Sequence, residues 1–164
     1  MRPLLVAALG LWLAGCGGLF GGEPSVQRAV EGPSPVEIHD ARFVRGYART
    51  PNFEESEIFR QALEQRVTAY FTRHPEVATS EKASHFRPRG RVIVGMSKEE
   101  VVTLLGDPDA RSIESAAMQK VARQFWSAIQ PRVQEMWTYP GGWSLYFDGE
   151  ARVADIIVAG KAPI

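Results

Sequence analysis

Three β-rich runs near the end of this chain, Val133 to Tyr139, Trp143 to Phe147 and Ala151 to Val158, are joined by links only a few residues long. Parallel neighbours need a crossover of a dozen residues or more, so links this short demand antiparallel pairing. Pro140-Gly141-Gly142 supplies one turn. Asp148-Gly149 supplies the other and matches the residue preference of a two-residue type I′ hairpin. Alternation puts Val133, Trp137 and Tyr139 on one face, and Trp143, Leu145 and Phe147 on one face of the next strand. In the third run Val153 and Ile157 share parity with Asp155, whereas Ile156 and Val158 fall opposite. That conflict predicts either a bulge or partial cover on both faces.

A meander with an apolar face needs helices to cover it, and the stretch VGMSKEEVVTLLGDPD, Val94 to Asp109, provides one. Ser97 and Glu100 stand in the S-x-x-E spacing of a capping box, with Met96 and Val101 where a hydrophobic staple falls. Val101, Leu104 and Leu105 form an apolar stripe with Val102 at its margin. Gly106 fits a left-handed helix end and Pro108 forbids continuation. A helix of about two turns cannot persist alone and must dock on the sheet. Asp107 and Asp109 could face a cation, but a Gly-Asp-Pro-Asp turn accounts for them. Gly95 lacks the partner glycines and lysine of a phosphate loop.

Upstream, Phe59, Leu63, Val67, Tyr70 and His74 recur at helical spacing, predicting an amphipathic helix capped by Asn52 and running to about Arg73. Glu54, Glu55 and Glu57 suit its positive end, and His74-Pro75 stops it. Arg42, Arg45 and Arg49 interleave with Phe43 and Tyr47, a pattern that edges a domain or rests on anionic headgroups. Thr79 to Phe86 has the character of a weaker helical turn before Arg87-Pro88-Arg89. Between the short helix and the first β run, Ala116 to Gln130 reads as a further amphipathic helix with Val121, Phe125, Ala128 and Ile129 on its apolar side. Its apolar face is expected to be partly core and, near Trp126, partly exposed.

The chain opens with MRPLLVAALGLWLAGC. Residues 1–15 have a positive start, roughly ten apolar residues and a small-residue cleavage site, an export signal too short to span a bilayer, which takes about 20. Leu13-Ala14-Gly15-Cys16 resembles the lipobox of bacterial lipoproteins, and Cys16 is the single cysteine of the 164 residues. The resemblance implies acylation of Cys16, which attaches the chain to a membrane and removes a lone thiol from an oxidising compartment. Residues 16–35, dense in Gly, Pro and Ser, read as the lipidated cysteine and a flexible tether, and 36–90 as a helical extension. Nineteen basic and nineteen acidic side chains balance, so no global field favours nucleic acid.

The Gly95-Met96-Ser97 triplet, the run Val101 to Pro108, Trp137-Thr138-Tyr139, and Leu145-Tyr146-Phe147-Asp148 followed by Val153 resemble the BamE/SmpA/OmlA domain of small envelope lipoproteins. The likeness covers about Arg91 to Val158, within a domain set at 91–164 that carries the insert 116–130 where the family has a short connection. It implies an α+β fold, with helices packed on a three-stranded antiparallel β-meander like half of β-lactamase inhibitory protein, here preceded by a long amphipathic helix. It also implies a periplasm-facing place at the bacterial outer membrane and partners among the barrel-assembly subunits. Gly17, not aspartate, follows the cysteine, in keeping with that leaflet.

Chemistry is harder to find in the sequence. His39, His74 and His85 lack metal-pair spacing, Ser144 lacks a nucleophile elbow, and no carboxylate pair is placed for acid and base roles. The expectation is therefore a non-catalytic interaction module with no metal and no cofactor, contacting a protein partner through Trp126, Trp143 and Tyr146. The alternative is a periplasmic ligand-binding or enzyme-inhibitor module that uses the sheet face or the inserted helix.

Overall fold

The structure, a computed structural model, describes residues 25–160. Cys16, the export signal and most of the expected tether lie outside them. The architecture is α+β: strands β1 (Val26–Arg28), β2 (Ala110–Ser112), β3 (Glu135–Tyr139), β4 (Trp143–Phe147) and β5 (Val153–Ala159) form one sheet in the order β1-β5-β4-β3-β2. Every pairing is antiparallel. The three consecutive strands β3, β4 and β5 are neighbours, but two more strands flank them, so the sheet has five strands where three were expected.

The parity conflict in β5 resolves as a bulge. Tyr146 pairs with Asp155 while Phe147 pairs with Val153, leaving one extra residue on β5. Val153 and Ile156 therefore both reach the first core, and Ala154 and Ile157 the second. The expected face of β3 is corrected at one position: Val133 lies ahead of the strand and packs with Met136 and Tyr146, opposite Trp137 and Tyr139. The expected type I′ turn is also replaced. Ala151 N–H donates to the Asp148 carbonyl at 3.1 Å and Asp148 N–H to that of Arg152 at 2.9 Å, with Ala151, not Gly149, at φ 60°. Asp148 Oδ1 accepts from the N–H groups of Glu150 and Arg152, each at 2.9 Å. Those two bonds hold a three-residue loop against the strain of a left-handed alanine.

One face of the sheet is covered by helices α1 (Pro35–Tyr47), α2 (Phe53–Arg73) and α4 (Lys98–Leu105); a single turn α3 (Pro75–Ala78) and a 3₁₀ stretch, Glu81–His85, connect α2 onward. All three longer helices begin with complete capping boxes: Ser34 with Glu37, Asn52 with Glu55, and Ser97 with Glu100. Ile38, Leu63, Val67, Leu104 and Leu105 meet Trp137, Leu145 and Phe147 in the first core. Glu100 is buried at the α4 cap, where Lys82 Nζ lies 3.1 Å from its carboxylate. A buried carboxylate needs such a partner.

The other face is covered by the insert, and here two expectations are corrected. Instead of one helix over 116–130 there are α5 (Ser115–Ala122), α6 (Trp126–Ile129) and 3₁₀ turns around them. The break is at Arg123, φ 50° and ψ −121°, which cannot continue a helix. The break re-aims the stripe: Met118, Ala122, Trp126 and Ile129 are buried, whereas Val121 and Phe125 are only partly so. Trp126, expected at an exposed remainder, is 7 % exposed. Tyr146, expected on an exposed sheet face, is fully buried and its hydroxyl donates to the Met118 carbonyl at 2.9 Å. The insert turns an open sheet face into a second core.

The tether expected to reach Pro35 ends sooner, because residues from Ser25 on belong to the fold. Val26, Gln27 and Arg28 pair with Ala159, Val158 and Ile157, and Gly32 N–H donates to the Val92 carbonyl at 2.7 Å. Arg28 grips the buried Asp155 with two hydrogen bonds, 2.8 and 2.5 Å, and Arg132 adds a third at 3.3 Å. One carboxylate thus ties the N-terminal strand and the turn that follows the insert to β5.

Candidate functional site

With Trp126 and Tyr146 in the core, the surface most suited to recognition lies where α1, α2 and the end of α4 meet. Four of the large apolar side chains that stay exposed, Val44, Tyr47, Phe53 and Ile58, fall within fifteen residues of chain around the α1–α2 turn, and Tyr47, 67 % exposed, borders this corner. An exposed aromatic beside a concavity suits a contact surface better than an isolated one on a convex face. The turn between the helices is closed by local contacts. Ala48 closes α1 in the left-handed conformation, Asn52 caps α2, and Arg49 clasps Glu55 through two bonds of 2.7 and 2.8 Å. The Arg49 hydrogen bond, followed by the Asn52 backbone bond, holds the Glu55 carboxyl down at about 2.

Tyr47 borders a slot of about 540 Å³. His39 stacks on Phe59 at 4.1 Å, and Phe43 packs against Tyr47 at 4.5 Å. Leu105 and Gly106 form the far wall, and Arg42 and Arg66 reach in from α1 and α2. The helix end explains the wall. Gly106 has φ 74° and ψ −171°, a region open in practice only to glycine, and not the left-handed cap that was expected. It turns the chain away from α4, and the Arg42 guanidinium donates to the last α4 carbonyl, of Leu105, at 2.8 Å and to the Asp107 carbonyl beyond the helix at 2.5 Å. A cation there also suits the negative end of the helix. Tyr139 donates to the Gly106 carbonyl at 3.0 Å.

The two aspartates of the Gly-Asp-Pro-Asp turn bind arginines. Asp107 meets Arg111 at 3.0 Å, and Asp109 meets Arg45 at 2.6 Å with Arg42 at 3.5 Å. The Arg45 hydrogen bond holds the Asp109 carboxyl below its ordinary value. Arg66 is different, since it has no carboxylate partner among the described residues, and no acid lines the slot. Solvent still reaches its side chain, yet partial burial and then the Arg42 charge push its guanidinium below the ordinary value.

Arg42, Phe43, Arg45, Tyr47 and Arg49 form a basic-aromatic pattern in the sequence, but a slot is not visible there, because Phe59, Arg66 and Gly106 are brought in by folding. Of the three aromatics expected to contact a partner, the structure leaves Trp143 half-buried beside Gly141 and away from Trp126 and Tyr146, which lie on the opposite core. The three do not form one surface. No family model, characterised protein or solved structure matches the chain.

Proposed function

We propose that this chain is a lipid-anchored, non-catalytic interaction module of a bacterial envelope, attached through acylated Cys16 and facing the periplasm from the outer membrane. The observation that carries the reading is the corner of α1, α2 and α4: a concave slot with the exposed Tyr47 at its edge and Arg66 without a carboxylate partner among the described residues. The charged groups buried elsewhere, Asp155 and Glu100, serve as ties between elements. Nine peptide steps separate Cys16 from Ser25, so an anchor at Cys16 holds the domain within roughly 30 Å of the bilayer, at about 3.3 to 3.6 Å per residue.

The resemblance of Arg91 to Val158 to the BamE/SmpA/OmlA domain makes barrel-assembly subunits the first partners to test. The sheet proper does not serve as the contact surface in this reading, since helices cover both of its faces. The slot favours a second reading, a ligand-binding or inhibitor module using the same corner. Labelling cells with a fatty-acid analogue tests the anchor: the wild type is expected to take label and partition with outer membranes, and Cys16→Ala to do neither. Equal labelling of the two refutes it. Identified barrel-assembly subunits in detergent pull-downs support the first reading, and their consistent absence supports the second.

A further inference from the structure

We propose that the slot between α1, α2 and the end of α4 binds an organic carboxylate that carries a compact apolar group. This rests on the reading of the corner as the recognition surface and adds the chemical class of what is gripped. Both guanidiniums converge on one point: a methyl group built on Gly106 would lie 3.5 Å from an Arg42 nitrogen and 3.7 Å from an Arg66 nitrogen. Two like charges held this close favour an anion between or beside them. Asp109 faces Arg42 at 3.5 Å as well as Arg45, and Asp107 faces Arg111, so the local aspartates reach Arg42 and leave Arg66 without a carboxylate among the described residues.

Arg42 is held by the Leu105 and Asp107 carbonyls and is paired with Asp109, which leaves Arg66 as the group with an unused fork. A guanidinium fork matches the two oxygens of a carboxylate. The rest of the slot is apolar and aromatic, from Phe43, Tyr47, Phe59 and Leu105. Its volume of about 540 Å³ falls within the usual range for one small ligand, roughly 300 to 1,000 Å³. Glycine at position 106 keeps the ligand's path to both arginines open. The carboxylate has two possible sources, a free acid or the C-terminus of a peptide, and the recognition chemistry is the same for both.

The test is a ligand-observed NMR titration on the acylated full chain in phosphatidylcholine nanodiscs. 3-Phenylpropanoate is expected to bind and its neutral amide not to. Arg66→Gln should weaken binding by about tenfold or more, Arg66→Lys less, and Arg89→Gln not at all, with melting temperatures unchanged. A peptide ending in phenylalanine that outcompetes the acid, while its C-terminal amide fails, assigns the source to a chain end; the reverse assigns it to a free acid. Equal binding of the amide, an unaltered Arg66→Gln, or loss of the probe when phosphatidylglycerol is added to the disc overturns the proposal. A partner that still crosslinks to Tyr47 after such a failure shows that the corner's role stands without the carboxylate.

Discussion

At the scale of single residues, Gly106 and Leu105 join the fold to the site. Leu105 is buried between the helices and the sheet, and the next residue must turn with a positive φ so that the α4 carbonyls face Arg42. Leu105→Ala is expected to cost about 2 to 5 kcal/mol, because it empties a filled core position. Gly106→Ala meets only ordinary van der Waals neighbours, so its cost, about 1 to 3 kcal/mol, is backbone strain. Lys98→Gln at the α4 surface has a smaller effect, as its bond to Glu135 is part-exposed. Urea melts of the three variants check this order, and equal losses contradict it.

Glu55 is the residue whose ionisation the structure marks most clearly. Its carboxyl is depressed from 4.5 to about 2 by Arg49 and the Asn52 backbone. A depressed carboxyl contributes stability that is complete above the ordinary value and is lost as pH falls through the folded one. The contribution therefore fades between pH 4.5 and 2. Glu55→Gln should flatten the acid limb of a melting-temperature profile in that window and leave the neutral plateau nearly parallel to wild type. An unchanged acid limb would mean that the clasp on the α1–α2 turn does not form.

At the scale of elements, the sequence was legible where local chemistry decides. The cap at Asn52, the box at Ser97, the Pro108 stop and the places of the turns around Gly141 and Asp148, though not the type of the second, need only neighbours in the chain, and α2, α4 and the three runs β3, β4 and β5 follow from them. Long-range pairing was not legible. Strand β1 is three residues without period, fixed by β5 about 130 residues away through Arg28 and Asp155. The insert was read as a single helix because Val121, Phe125 and Ile129 hold a helical spacing, yet the chain breaks at Arg123 to bring Met118, Ala122 and Trp126 onto the sheet. The site was half legible for the same reason, with α1 carrying a visible pattern and α2 and α4 supplying the rest.

The insert also carries a prediction of its own. Four buried side chains at about 1.5 to 3 kcal/mol for the larger ones are comparable with a typical margin of 5 to 15 kcal/mol. Their removal would also uncover Tyr146 and Ile157. Replacing residues 116–130 by a brief Gly-Ser link is therefore expected to unfold the domain. A cooperative melt near the wild-type temperature would show that the second core is dispensable and that the insert serves a partner.

At the scale of the whole molecule, the sheet separates two jobs. One face is sealed by the insert, and the other carries the helices whose outer corner stays open, with the exposed Tyr47 at the edge of a slot and Arg66 unmatched within it. Recognition should then be confined to the α1–α2 side. Site-specific photo-crosslinking in intact cells tests this most directly, with a crosslinking amino acid at Tyr47 in one strain and at Lys120, an exposed position of the insert, in another. The account predicts a discrete adduct with an envelope component from position 47 and none from position 120. An adduct from position 120 with nothing from position 47 would contradict it.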